Sequence, residues 1–237
     1  MKWYKRTELL VGSTGIEKLQ NAHVLVVGLG GVGAYAAETI CRAGVGRMTI
    51  VDGDSVEMTN RNRQLPALVS NEGKPKAEVM GARFRDINPE IELEIINEYL
   101  KDERMEEVLD AYPYDYVVDC IDTLSPKVYL LQQAKERQLP VVSSMGAGGK
   151  LDPTQIRVAD ISKSYNCALA KMIRKRLRKL NINKGIKVVF SPEDVDKSKL
   201  IIEESQNKKS TVGTISYMPP AFGCFIGSIV IRDLLEK

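Results

Sequence analysis

The chain has 237 residues, 43% hydrophobic and 27% charged, with a net charge of only +3. This is the balance of a soluble globular protein, long enough for one large domain or a domain with an appended lobe. Its four cysteines (41, 120, 167 and 224) form no CxxC pair, which excludes a zinc ribbon.

In chain order, MKWYKRTELL at the start lacks the apolar core of a signal peptide. A reducing cytoplasm with four free thiols is therefore expected. Apolar, β-branched runs at 23–28, 47–52, 91–96, 116–120 and 140–144 read as strands of a parallel sheet covered on both faces. Helix-like runs lie between them at 33–44, 74–87, 102–111 and 125–137. This alternation predicts a Rossmann-like, doubly wound α/β core over residues 1–150. A C-terminal α+β extension, 151–237, is expected to pack on it. Residues 145–155 form a turn-rich loop, and strands at 156–160 and 187–191 flank a helix at 167–180. The hydrophilic stretch 191–211 reads as a mobile loop. Residues 210–230 hold no charge, but Pro219–Pro220 and several polar side chains argue for a buried helix from about 219 to 235. Membrane association is not expected.

The charge is unevenly placed. Residues 163–187 hold nine of the 34 Lys and Arg and no Asp or Glu, leaving 25 basic against 31 acidic residues elsewhere. Lys171, Arg174, Lys175, Arg176, Arg178 and Lys179 cover one helix surface, opposite Leu169, Met172, Ile173, Leu177 and Leu180. A solvated helix face is one reading. Binding of RNA phosphates is the other, favoured by six cations in nine positions without an acid.

Gly28-x-Gly30-Gly31-x-Gly33 follows the first strand and opens a helix. Such a turn lets backbone approach phosphate oxygens at a helix N-terminus. Asp52 ends the second strand, where a carboxylate accepts ribose hydroxyls, and Asp54 follows it. A nicotinamide dinucleotide needs nothing more, yet Arg61, Arg63, Lys74 and Lys76 crowd the next segment. That much positive charge suits a triphosphate, whose reaction concentrates negative charge. Asp122, at the carboxyl end of the fourth strand, is placed to hold Mg²⁺ against phosphate oxygens.

The series GxGxxG, Asp52-x-Asp54, Asn60-x-x-Arg63-Gln64, Lys76 and Asp119-Cys120-x-Asp122 resembles the ubiquitin-activating-enzyme-like adenylating superfamily, the ThiF/MoeB group. The resemblance spans roughly residues 5–150. It implies ATP as substrate, with Gly30 against the nucleotide, Asp52 on ribose, and Asn60, Arg63, Gln64 and Lys76 around the phosphates. It places Mg²⁺ on Asp122. Arg6 matches the arginine that reaches into the partner subunit's site, which implies a homodimer. The implied chemistry is attack of a carboxylate on the α-phosphorus, giving an acyl-adenylate. A carboxylate is already nucleophilic at pH 7, so no strong base is needed, and His23 receives no catalytic role.

One branch of that superfamily, the tRNA threonylcarbamoyladenosine dehydratases, resembles nearly the whole chain. The matching segments are RTELLVG, NRNRQLPAL, SSMGAGGKLDPT and the basic helix. The implied reaction activates the threonyl carboxylate beside the anticodon and closes a five-membered ring with loss of water. Intramolecular attack then requires no covalent enzyme intermediate. The GAGG loop, 146–149, is expected to line the acyl-adenylate site. Cys167, at the mouth of the basic helix, is a candidate accessible thiol, and a sulfur-relay partner stays open. Two other readings also stay open: activation of a ubiquitin-like sulfur carrier, and a nicotinamide-binding oxidoreductase or sensor.

Overall fold

The computed structural model describes residues 2–195, 200–201 and 211–237. Seven strands form one sheet: β1 (His23–Val27), β2 (Arg47–Val51), β3 (Glu92–Ile96), β4 (Tyr116–Asp119), β5 (Val141–Ser144), β6 (Arg157–Asp160) and β7 (Lys187–Phe190). Their order is β3-β2-β1-β4-β5-β7-β6, parallel throughout except for β6 against β7. Every residue of β1, β4 and β5 is buried, as uninterrupted Val-rich runs require when both faces are covered. The run at 91–96 departs from this expectation. It forms the edge strand β3, where Glu92 and Glu94 stay in solvent.

Two helical layers cover the sheet. On one face lie α1 (Lys5–Asn21), α2 (Gly33–Ala43), α3 (Lys76–Ile87) and α7 (Met218–Glu236), joined through Leu19, Ile40, Phe84 and Phe222. On the other lie α4 (Asp102–Asp110), α5 (Leu124–Glu136) and α6 (Ala168–Lys179), joined through Met105, Leu131 and Ile173. α1 was not expected from the sequence. Only Gly15, Ile16 and Leu19 of it are buried, and Gly12 breaks it at φ 76°. α7 is long and apolar enough to cross a membrane by length and composition, yet half of that stretch is buried in the fold. Its Gly223 and Gly227 press on α2, where an added Cβ would lie 2.5 Å from the Val32 oxygen and 2.8 Å from Thr39 Cβ. Within 191–211, Leu200–Ile201 (β8) pairs antiparallel with Thr211–Val212 (β9). Of the stretch expected to be a mobile loop, 191–195 is held in place, with Ser191 buried and Glu193 bonded to the Leu151 and Asp152 amides, and 196–199 and 202–210 lie outside the described residues.

The strand order reverses between β1 and β4. The chain leaves β1 for α2 on one face and β4 for α5 on the other, which opens a crevice at the carboxyl edge. An ion pair closes its floor. Asp119, the last residue of β4, accepts from Lys127 Nζ at 2.8 Å, and both side chains have zero exposure. Ser143 Oγ donates to the same carboxylate at 2.6 Å and the Ile121 N–H at 3.1 Å, while Lys127 also donates to the Ile121 carbonyl at 2.9 Å. Burial pushes the Asp119 carboxyl above its ordinary pKa, and Lys127, Ser143 and the Ile121 amide pull it back.

Removing one partner strands the other charge. Lys127→Met should lower the unfolding free energy in urea by about 3–5 kcal/mol. Adding Asp119→Asn should recover most of that loss. A double variant no more stable than the single one would show that the pair does not govern this site.

Candidate active site

The glycine turn is shaped from within. Gly28 has φ +92°, and a Cβ there would lie 2.8 Å from the Cys120 oxygen. A Cβ on Gly33 would lie 1.7 Å from the Gly28 oxygen, so neither position tolerates a side chain. At Gly31 it would meet Pro219 Cβ of α7 at 2.9 Å. Gly30 differs, because its Cβ position faces open space, with Gln64 Nε2 at 3.9 Å the nearest atom. The turn therefore offers bare backbone to a ligand at Gly30 and uses its other glycines to pack.

Asp52 supports the turn from β2. One carboxylate oxygen accepts the Leu29 N–H at 2.6 Å, and the other accepts the Asp54 N–H at 2.8 Å. Burial raises its pKa above the ordinary value, offset by Lys76 and those two amides. Asp54 accepts from Lys76 Nζ at 2.7 Å and from the Tyr99 hydroxyl. Lys76, the first residue of α3, is nearly buried while Asp54 is half exposed. Tyr99, bound to Asp54, has its hydroxyl pushed up to about 12.

The segment after Asp54 folds over the turn. Asn60 is buried, and its carbonyl accepts the Arg63 and Gln64 amides at 3.1 and 2.9 Å. Its side-chain oxygen accepts the Glu57 N–H at 3.1 Å. Arg63 lies against Gly31, and its guanidinium donates to the Thr59 carbonyl at 3.0 Å and Asn62 Oδ1 at 2.9 Å. Gln64 Oε1 is buried without a hydrogen-bond partner. An orphaned acceptor beside an open glycine fits a ligand that brings hydroxyl or amino donors, as a nucleotide does.

Asp122 is exposed at the end of β4, two residues after Cys120 touches the turn. Among the described residues no three His, Cys, Asp or Glu side chains gather as a metal group. A divalent ion here would rest on Asp122 and on ligand oxygens, which suits the few protein ligands Mg²⁺ takes beside phosphates.

Other candidates lie apart. Arg61 pairs with Glu72. Lys74 reaches Asn71 at 3.4 Å and lines a separate cleft of about 380 Å³ with Leu65, Val79 and Arg83. Arg6 is exposed in the first turn of α1. His23 is a core residue, with Nε2 2.9 Å from Thr49 Oγ1. Cys167, the candidate thiol, is buried at the N-cap of α6.

The GAGG loop ends β5 at the same edge. Gly149 N–H donates to the Gly213 carbonyl at 2.8 Å. The Glu193 carboxylate takes the Leu151 and Asp152 amides at 2.7 and 2.8 Å. Buried Lys150 donates to the Glu193 carbonyl. α6 begins beside this loop, with Leu169 Cβ 3.9 Å from the Cβ position of Gly146. Two of its cations bond to serines: half-buried Arg174 to Ser164, and exposed Arg176 to Ser125 Oγ at 2.9 Å, three residues past Asp122. Lys171, Lys175, Arg178 and Lys179 are exposed and make no ion pair among the described residues.

The sequence model of the ThiF family matches residues 4–237. The chain belongs to the ThiF family. This ThiF chain is 41% identical to the tRNA threonylcarbamoyladenosine dehydratase of Bacillus subtilis, covering 98% of this chain and 94% of that one. It superimposes on the E. coli tRNA N6-threonylcarbamoyladenosine dehydratase in complex with ATP at a TM-score of 0.88 and 34% identity, covering 98% and 93% of the two chains. Against the complex of that enzyme with AMP the TM-score is 0.89 at 33% identity, with the same coverage. The molybdopterin-synthase adenylyltransferase of Haemophilus influenzae is 34% identical over 142 residues and reaches only 59% of this chain.

The Lys127–Asp119 floor and the Asn62 contact were missed from sequence. A lysine inside a helix reads as a solvated charge, and Asn62 carries no local signal of its contact with Thr214, 152 residues away. The thiols give a direct check. Burial pushes Cys41 and Cys120 to about 12, Cys167 is covered, and Cys224 alone is exposed. A thiol titration of native protein at pH 8 should show reaction at Cys224 only, with the other three released on unfolding. Fast labelling of Cys167 would contradict this geometry.

Proposed function

We infer that this protein is an ATP-dependent tRNA threonylcarbamoyladenosine dehydratase. The observation that carries the reading is coverage. The dehydratase relatives match the chain through the GAGG loop and α6, whereas the sulfur-carrier activator matches little more than half of it. In this reading residues 1–150 form the adenylation core and 151–237 the tRNA-facing extension.

ATP lies over Gly28–Gly33, with ribose on Asp52 and backbone phosphate contacts at Gly30. Each Asp52 oxygen already holds one amide and keeps a lone pair for a ribose hydroxyl. Asn60 and Gln64 line the nucleotide, the latter through its unpartnered oxygen. Arg63 and Lys76 face the phosphates. Lys76 is held by Asp54, so its ammonium is set in place before ATP arrives. Asp122 would hold Mg²⁺, which would supply neutralisation of charge on the phosphate oxygens. Arg6 of a second copy completes the cationic ring in a homodimer.

The threonyl carboxylate enters from the GAGG side and attacks the α-phosphorus, and pyrophosphate leaves. The side chain of the same nucleoside then displaces AMP and closes the ring. The net loss is one water, and the proximity of the two groups supplies much of the rate. The exposed face of α6 holds the tRNA backbone, starting beside the crevice where the modified base must sit. A tRNA substrate and four free thiols are consistent with a cytoplasmic site of action.

AMP release from ATP and Mg²⁺ should depend on tRNA that carries threonylcarbamoyladenosine, and nucleoside mass spectrometry should show loss of one water. Arg63→Ala and Lys76→Ala should each lower turnover by about 10²–10³-fold without unfolding the protein. AMP release that instead requires a small Gly-Gly-tailed protein would favour a sulfur-carrier activator.

Reversing Lys171, Lys175 and Arg178 to Glu should weaken tRNA binding by at least tenfold at low salt and flatten its dependence on salt. Filter binding across a salt series measures this. Unchanged affinity would place the RNA elsewhere on the molecule.

A further inference from the structure

The segment 213–219 touches both sides of the crevice. At one end Pro219 packs on Gly31 of the glycine turn. At the other, the Gly213 carbonyl accepts the Gly149 N–H at 2.8 Å, and Thr214 Oγ1 and Val212 stand 3.2 Å from the Cβ position of Gly148. Tyr217 adds a hydroxyl bond to the Leu151 carbonyl at 2.8 Å. The strap thus lies across the GAGG loop and the nucleotide turn together.

One side chain ties this strap to the phosphate side. Asn62 Nδ2 donates to the Thr214 carbonyl at 2.9 Å, a link across 152 residues of sequence. Its Oδ1 accepts from Arg63 Nη1 at 2.9 Å. A carboxamide can donate at one end and accept at the other, and Asn62 uses both ends at once. It is exposed, so the two bonds do not serve to satisfy a buried group.

We propose that Asn62 is a positioning residue that couples Arg63 to the 213–219 strap, so that engagement of the triphosphate by Arg63 sets the strap and, through Gly213, the GAGG loop that receives the acyl group. The proposal rests on the functional reading above. An arginine drawn onto phosphate shifts the acceptor it holds. The other end of that acceptor's side chain carries the movement to Thr214. Binding ATP and presenting the carboxylate then become linked steps, ordered by a single amide.

Asn62→Asp separates the two bonds. Aspartate still accepts from Arg63, but it has no donor for Thr214 and sets a negative charge against that carbonyl. Asn62→Ala loses both bonds. At an exposed position neither change should disturb folding, which melting temperature checks. Amide hydrogen exchange over 212–219, with and without ATP and Mg²⁺, is the first readout. ATP should protect this segment in the wild type. In Asn62→Asp the protection should vanish while ATP affinity stays within about threefold. Turnover on modified tRNA should fall about five- to tenfold at unchanged KM for ATP, the size expected for one hydrogen bond. Equal protection in wild type and Asn62→Asp, or no protection in either, would overturn the coupling. So would undiminished turnover in Asn62→Asp. The exchange readout needs no tRNA. A wild type that shows Asn62-dependent protection yet fails on tRNA would refute the substrate and leave the coupling standing.

Discussion

A fully buried ion pair at the reversal of strand order holds the rest of the crevice in place. Asp119 and Lys127 are without solvent, and each also binds the backbone of Ile121. Two charges in such a place do little for net stability, because desolvation absorbs most of their attraction. Their effect is geometric. The bonds to the Ile121 amide and carbonyl fix the turn between β4 and α5. That turn sets Cys120 under Gly28 and carries Asp122 to the edge. An apolar pair of equal volume would fill the space without holding that backbone.

The charges around the glycine turn follow from the same economy of position. Asp52 spends one lone pair of each oxygen on backbone amides, which orients it for a ligand from above. Lys76 would otherwise be a nearly buried, unpaired ammonium, and Asp54 stabilises it. In the proposed function the half-exposed carboxylate of that pair turns to water when phosphate takes its place. Arg63 is likewise held by weak, neutral acceptors, the Thr59 carbonyl and Asn62 amide. In the proposed function a phosphate oxygen displaces the Thr59 carbonyl, since charge-assisted bonds are about twice as strong, while the Asn62 amide stays on the guanidinium.

What could be read from the sequence was local. The strands β1, β2, β4 and β5 announce themselves as runs of Val and Ile, and the turn at 28–33 by its glycines. The structure gathers Asp52, Asn60, Arg63, Gln64 and Lys76 around that turn, because they lie close in sequence on segments leading from one strand edge. The misses depend on distant partners or on weak local signals. α1 carries two glycines and only three buried residues, so its apolar period is faint. The 91–96 run looks like its neighbours, but nothing in it says that it will lie at the edge. Arg61 and Lys74 share the composition of the proposed phosphate ligands, so the sequence leaves their role open, and the fold turns them to Glu72 and Asn71. Cys167 precedes a very polar helix, which leaves its exposure open in the sequence. Its burial comes from the packing of α6 on α5, with Ala170, Ile173 and Leu177 facing in.

That packing also explains the arrangement of charge on α6. An amphipathic helix needs one apolar stripe, and here six cations share the remaining surface without an acid. Repulsion among them weakens the helix unless something offsets it. Two are engaged by serine hydroxyls: Arg174 to the Ser164 turn before the helix, Arg176 to Ser125 at the start of α5. The Arg176 contact fixes the helix beside the turn that carries Asp122. The other four point to water with no counter-charge among the described residues. A surface under selection for stability alone would interleave Glu among them at i and i+4. Leaving them uncompensated keeps a local positive field next to the crevice, and the polyanion of the proposed function would relieve the repulsion that the fold does not.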